Sequence, residues 1–232
     1  MERIDRAAEV SGRSASQIKL VLVTKTQPVE VARAAILAGA NILGENYPEE
    51  ALPKIRALKE FPEVEWHLIG HVQSRKAKFV VEDFALIHSI DSFRLAKKIN
   101  DILYMRNRIL PILLEINMSG EKSKYGWLAD QESQWNRVLP EIEQVFSLSN
   151  LRILGLMTMP PLSDNAEMSR PFFDKLRKFR DFIAQSSHKS SLPELSMGTS
   201  MDFEVAIQEG ATMVRIGQAI LGERPIKKKD QF

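Results

Sequence analysis

The sequence predicts a single α/β barrel of eight parallel strands, and three observations carry that expectation. The chain has 232 residues and is 44% hydrophobic, enough for one full-sized core and close to the roughly 250 residues typical of a (β/α)8 (TIM) barrel. Short runs rich in Val, Ile and Leu recur eight times, the number that closes such a barrel. Between them lie longer segments with helical spacing, and no polar linker interrupts the alternation. One barrel domain over residues 1–232 is therefore expected. An open doubly wound sheet is the alternative, but it usually has fewer strands and a glycine-rich first turn. Here the first strand ends in Thr24-Lys25-Thr26-Gln27-Pro28.

The strands are expected at 18–25, 41–46, 65–70, 85–90, 111–117, 151–158, 194–197 and 212–217. Helices are expected from Val29 to Ala38, stopped by Gly39; from Ser92 to Met105, after Asp91; and from Ala166 to Gln185. A shorter helical run from Phe203 to Glu209 follows the seventh strand. The tail Lys227-Lys228-Lys229-Asp230 reads as a solvated end.

Composition removes whole classes of function. Lys and Arg number 32 against 30 Asp and Glu, so bulk charge calls for neither nucleic acid nor an anionic membrane. There is no cysteine, hence no disulfide, thiolate metal site or cysteine nucleophile. No apolar run approaches the roughly 18 residues of a membrane span, and Met1 to Arg6 leads into no signal core, so a cytoplasmic location is expected. A GxSxG elbow and a Walker loop are both missing.

In a parallel barrel the C-terminal strand ends build the active face. That rule selects Lys25, Asn46, His67, Ser89, Asp91, Asn117, Thr158, the Ser196–Ser200 turn and the Arg215–Gly217 turn. Lys25 is the sharpest: an amine at the end of a buried strand is desolvated, which favours the neutral, nucleophilic form. The alternative is a solvated surface lysine. Ser196-Met197-Gly198-Thr199-Ser200-Met201-Asp202 suits an anion, with glycine for close approach and hydroxyls ahead of a helix; the bland alternative is a helix cap, with Thr199 and Asp202 paired as in a capping box. Gly217 closes the last strand, where barrels commonly bind phosphate. Arg215 must find a carboxylate or face a cofactor, since burial without a partner is costly. Facing a pyridine nitrogen it would donate without losing its proton, leaving that nitrogen bare and the ring a weak electron sink. The histidines His67, His71, His88 and His188 lack metal-ligand spacing.

These pieces occur in an order that is specific in combination. Leu22-Val23-Thr24-Lys25-Thr26, Gly44-Glu45-Asn46-Tyr47, Trp66 to Lys76, His88-Ser89-Ile90-Asp91, Gly155-Leu156-Met157 and Leu195 to Gly222 resemble the pyridoxal phosphate homeostasis proteins (the YggS/PROSC family). The resemblance implies a fold-type III barrel, like the N-terminal domain of alanine racemase, with pyridoxal 5'-phosphate as cofactor in Schiff-base linkage to Lys25. It further implies Arg215 facing the pyridine ring, Ser196, Gly198, Ser200 and Gly217 in the phosphate turns, and Asn46, His67 and Met197 lining the ring. The loop Lys122-Ser123-Lys124-Tyr125-Gly126 is similar to the one the family carries after the fifth strand, near the mouth. The stretch before the first strand, Met1 to Gly12, is shorter than the family's usual N-terminal helix, and Arg75 stands where asparagine is commoner.

The implied function is storage and delivery of the cofactor, with PLP-dependent apoenzymes as possible recipients. The alternative is an amino-acid racemase, which needs a proton donor on each face of the substrate. Only Tyr47, of the three tyrosines, directly follows a strand end. Without the racemase β-domain a monomer is expected.

Overall fold

The computed structural model describes residues 1–187 and 191–223. His188 and the Lys227–Asp230 tail lie outside the described residues. In chain order the elements are α1 (Glu2–Val10), β1 (Lys19–Val23), α2 (Val29–Leu37), β2 (Ile42–Glu45), α3 (Pro48–Ala57), β3 (Glu65–Leu68), α4 (Ala77–Val80), β4 (Leu86–Ile90), α5 (Phe93–Tyr104), β5 (Leu110–Asn117), β6 (Trp127–Leu128), α6 (Trp135–Phe146), β7 (Leu151–Met157), α7 (Arg170–Ser187), β8 (Glu194–Thr199), α8 (Phe203–Gln208), β9 (Met213–Ile216) and α9 (Gln218–Leu221).

The strand order is β4-β3-β2-β1-β9-β8-β7-β5, closed by a further β4–β5 pairing. Every pairing is parallel, as strands joined through helical crossovers must be. The result is the expected eight-stranded barrel. The two-residue β6 adds to the outer end of β5; it is too short to leave a periodic signal.

Alternation along each strand divides the side chains. Val21, Ile42, Leu86, Leu113, Met157 and Met213 form a small inner cluster. Their neighbours Leu22, Leu43, Ile87, Leu114, Leu156 and Val214 belong to the larger apolar layer shared with the helices. β1 and β9 are adjacent, Lys19 pairing with Met213 and Leu22 with Ile216. Lys25 and Arg215 are therefore delivered to neighbouring positions although 190 residues separate them.

Several boundaries shift by a few residues, and two of the shifts have a clear local cause. The helix expected from Ala166 begins with a tight turn at Ala166–Ser169, capped by Asn165, whose side chain accepts from Glu167 N; the regular helix starts at Arg170. Strand β8 runs on to Thr199, its register shifting between Ser196 and Thr199. Gly198 makes this possible with φ of 90°, a conformation that L side chains rarely adopt.

Candidate functional site at the barrel mouth

The C-terminal strand ends surround a cavity of about 440 Å³, lined among others by Lys25, Asn46, Glu115, Ser200, Arg215 and Gly217. Lys25 belongs to a tight turn in which Gln27 N donates to Thr24 O (3.1 Å) and Thr26 has φ of 62°. For a β-branched residue that is strained, at about 1–3 kcal/mol. A buried network holds the strain: Lys54 Nζ donates to Thr24 O (2.7 Å) and to Glu45 Oε1 (2.6 Å), and Thr24 Oγ1 donates to Glu45 Oε1 (2.8 Å). Thr24 and Glu45 are fully buried. Burial pushes the Glu45 carboxyl up, while the Lys54 ammonium opposes it.

Arg215 is buried and has found neither a carboxylate nor solvent. Its Nη1 donates to Ser196 Oγ (2.6 Å), and its Nη2 to Thr158 O (2.9 Å) and Met159 Sδ (3.0 Å). Burial brings its pKa down to about 10, against the pull of Asp202 and Glu115, so it remains a cation at neutral pH. Three basic side chains, Lys25, Lys124 and Arg215, thus line the cavity together with one acidic group, Glu115. Burial lifts Glu115 to about 7, with the Asp91 carboxylate adding and Arg215 and Lys124 opposing. Its buried Oε2 has no hydrogen-bond partner among the described residues.

The two turns singled out for an anion meet each other. Ser200 Oγ accepts from Gly217 N and from Ala219 N, both at 3.3 Å. A Cβ on Gly217 would stand 3.1 Å from Val23 O. The expected Thr199–Asp202 pair is present: Thr199 N (2.7 Å) and Thr199 Oγ1 (3.0 Å) both donate to Asp202 Oδ1. Asp202 stands at the N-cap of α8 but makes no side-chain cap bond there, its carboxylate being turned back into the loop.

Four of the residues expected to hold the cofactor do not line the cavity. Met197 is buried in the layer between barrel and helices. A Cβ on Gly198 would lie 2.6 Å from Ala206 Cβ and 2.9 Å from Phe203 Cα, so this glycine admits α8. Ser196 lies beneath the cavity as the acceptor for Arg215. His67 is in the barrel interior, 3.0 Å from His88. Ser89 donates to Gly70 O (2.6 Å), Thr158 to Ile116 O (2.8 Å), and Asn117 Oδ1 accepts from Ser119 N and Gly120 N; all three brace strand ends.

Sequence reasoning missed Glu115 and His71, which line the cavity. Glu115 follows four apolar residues and precedes another, a carboxylate in a buried strand that could have been noticed. His71 Nδ1 lies 3.0 Å from Asp91 Oδ2, and its ring stacks on Tyr125 at 3.7 Å. Lys124, beside it, donates to Met159 O (3.1 Å) and Pro160 O (2.8 Å), drawing the 122–126 loop across the mouth. Tyr47 lies in a neighbouring crevice with Asn46 and His71; Tyr125 is the tyrosine that reaches the cavity.

A closed parallel barrel is also the fold of the alanine racemases, and the model of the alanine racemase N-terminal domain matches residues 2–225. The chain belongs to this family, and within it to the pyridoxal phosphate homeostasis proteins. It is 43% identical to the one from Aquifex aeolicus over 97% of this chain and 95% of the relative, and 37% identical to that of Escherichia coli K12 over 98% and 95%. Among solved structures, PipY of Synechococcus elongatus with PLP bound is 32% identical, with a TM-score of 0.82, covering 95% of this chain and 100% of that one. Alanine racemase of Clostridium difficile, at 17% identity and a TM-score of 0.68, shares the fold; the match covers 97% of this chain and 56% of the racemase.

No helix among the described residues is long and apolar enough to cross a membrane. Among the same residues no cluster of side chains is suited to hold a metal.

Proposed function

We propose that this chain binds pyridoxal 5'-phosphate at the barrel mouth and serves as a carrier and regulator of that cofactor in the cytoplasm. The observation that carries the reading is the convergence of the Lys25 amine and the Arg215 cation, from adjacent strands, on one cavity. PLP-bound PipY and the relatives named for pyridoxal phosphate homeostasis support it. The residues fit the group: an amine for its aldehyde, a donor for its ring nitrogen, and the paired Ser200 and Gly217 turns with a cationic surround for its phosphate.

Lys25 is the covalent anchor. Arg215 faces the ring, with Ser196 beneath it; Ser200, Gly217 and the β8 bulge at Gly198 shape the phosphate end. Asn46 borders the ring, His67 acts through the barrel interior, and Met197 packs behind. When bound, the cofactor supplies an electrophilic carbon and an electron-withdrawing ring, and a ring nitrogen met by a permanently protonated guanidinium is a weak electron sink. This disfavours aminotransferase chemistry and suits holding the cofactor. A racemase would need a proton-carrying group on each face; Tyr125 is the tyrosine positioned to be tested for that role. The barrel is proposed to act as one domain and as a monomer, for which light scattering should give the mass of a single chain. Recipients would be PLP-dependent apoenzymes.

Purified protein mixed with PLP should turn yellow, lose the band on borohydride treatment and carry the reduced cofactor's mass on Lys25. Lys25→Ala should carry no adduct. A protein that stays colourless with PLP overturns the reading; amino-acid racemisation lost in both Lys25→Ala and Tyr125→Phe would replace carriage by catalysis.

A further inference from the structure

Beneath the cavity five polar side chains run in line through the barrel. Glu65 Oε2 lies 3.2 Å from His67 Nε2, His67 Nδ1 lies 3.0 Å from His88 Nε2, His88 Nδ1 lies 2.8 Å from Ser196 Oγ, and Arg215 Nη1 donates to that same oxygen at 2.6 Å. His67, His88, Ser196 and Arg215 are buried. The Glu65 side chain is 60% exposed, on the first residue of β3 and so at the end of the barrel opposite the mouth.

The chemistry of the two ends dictates every proton between them. A guanidinium has donors only, so Ser196 Oγ accepts from Arg215. Glu65 is held below the usual carboxylate range, first by its hydrogen bond to His67; an ionised carboxylate only accepts, so His67 Nε2 carries a proton. Burial lowers His67, and lowers His88 further, with His67 and Arg215 adding to the effect. Both rings are therefore neutral at pH 7. Neutral His67 has a bare Nδ1, which accepts from His88 Nε2–H. His88 Nδ1 is then bare and takes the Ser196 hydroxyl proton. Each bond points from Arg215 towards Glu65, and reversing any one of them sets two donors or two acceptors face to face.

We propose that Glu65, His67, His88 and Ser196 form a one-directional hydrogen-bond chain that positions Arg215 against the cofactor from the far end of the barrel. The inference rests on the proposed cofactor site. Glu65 fixes the acceptor end of the chain, and Ser196 holds the guanidinium plane while its neighbours hold Ser196. None of the four touches the reacting atoms; they are positioning residues.

The first test needs no ligand. In ¹⁵N-labelled protein at pH 7, His67 and His88 should each show a protonated Nε2 and a bare Nδ1; an Nδ1–H tautomer or a cationic ring in either overturns the chain. The second uses PLP labelled at the ring nitrogen. Ser196→Ala should move the ¹⁵N shift of that nitrogen and the bound-cofactor band, and weaken PLP binding about tenfold, the scale of one charged hydrogen bond. Ser196→Thr, which keeps the hydroxyl, should restore them. Glu65→Ala, at an exposed position remote from the cavity, should mix the histidine tautomers and move the same nitrogen in the same direction by less. Ring-nitrogen shifts unchanged in both Ser196→Ala and Glu65→Ala overturn the positioning role. A wild-type protein that takes up no PLP defeats the cofactor site instead, and the tautomer result stands apart from that failure.

Discussion

Glu115 is a carboxyl group that burial holds about half protonated at neutrality. Its folded value of about 7 exceeds the unfolded one of about 4.3, so the folded state binds the extra proton between those pH values. Its favourable contribution is complete below about pH 4 and is lost as pH rises through 7. Glu115→Gln should therefore stabilise the ligand-free protein at pH 8, by on the order of 1–3 kcal/mol, and leave it nearly unchanged at pH 4.5; urea titrations at both pH values measure the difference. Lys54 presents the opposite case. Replacing it by Met leaves Glu45 buried without its ion pair and the Thr24 carbonyl without its donor, a loss of about 3–5 kcal/mol. Adding Glu45→Gln should recover part of that loss, which a double-mutant cycle reads directly. Lys25 was legible in the sequence as a polar residue ending an apolar strand. Glu45 and Lys54 were not legible as its supports, because their partnership spans β2 and α3 and has no periodic signature.

The eight strands were readable as elements because burial on both faces demands continuous apolar runs. The turns that separate them carry the site, and their conformations are local. Gly198→Ala would force a side chain into φ of 90° and against Ala206 and Phe203. The expected result is α8 pushed away from β8, a stability loss of about 2 kcal/mol or more and weaker phosphate-end binding, read by thermal melting with and without PLP. Gly126 serves the mouth loop similarly: with φ of 98°, its added Cβ would lie 2.3 Å from Glu115 O. Gly126→Ala should lift Tyr125 from His71, visible as increased solvent quenching of Tyr125 fluorescence in a protein whose other tyrosines are replaced.

Across the molecule, the buried histidines couple folding to acidity. His67 and His88 have folded pKa values lowered chiefly by burial, while the unfolded rings titrate near about 6.5. Between those values the unfolded chain binds more protons, so stability is present above about pH 6.5 and is lost as pH falls below it. Cooperative acid unfolding should shift to lower pH in His88→Gln, which cannot become a buried cation; circular dichroism along a pH titration reports the midpoint. The barrel's inner layer is polar just where the cofactor site needs a floor, and Leu86, Leu113 and Met213 fill the space around it.

The sequence by itself determined the barrel, the order of its eight main strands, four of its helices and the candidates Lys25, Arg215, Ser200 and Gly217, since period, length and strand-end position are properties of neighbouring residues. Only the tertiary structure decided that Ser196 and His67 lie under the cavity, that Met197 faces the helices and that Glu115 and His71 line the mouth. A strand's alternation tells which residues share a face, whereas closure of eight strands, with a bulge at Gly198, decides which inward side chains from separate strands come within hydrogen-bond reach.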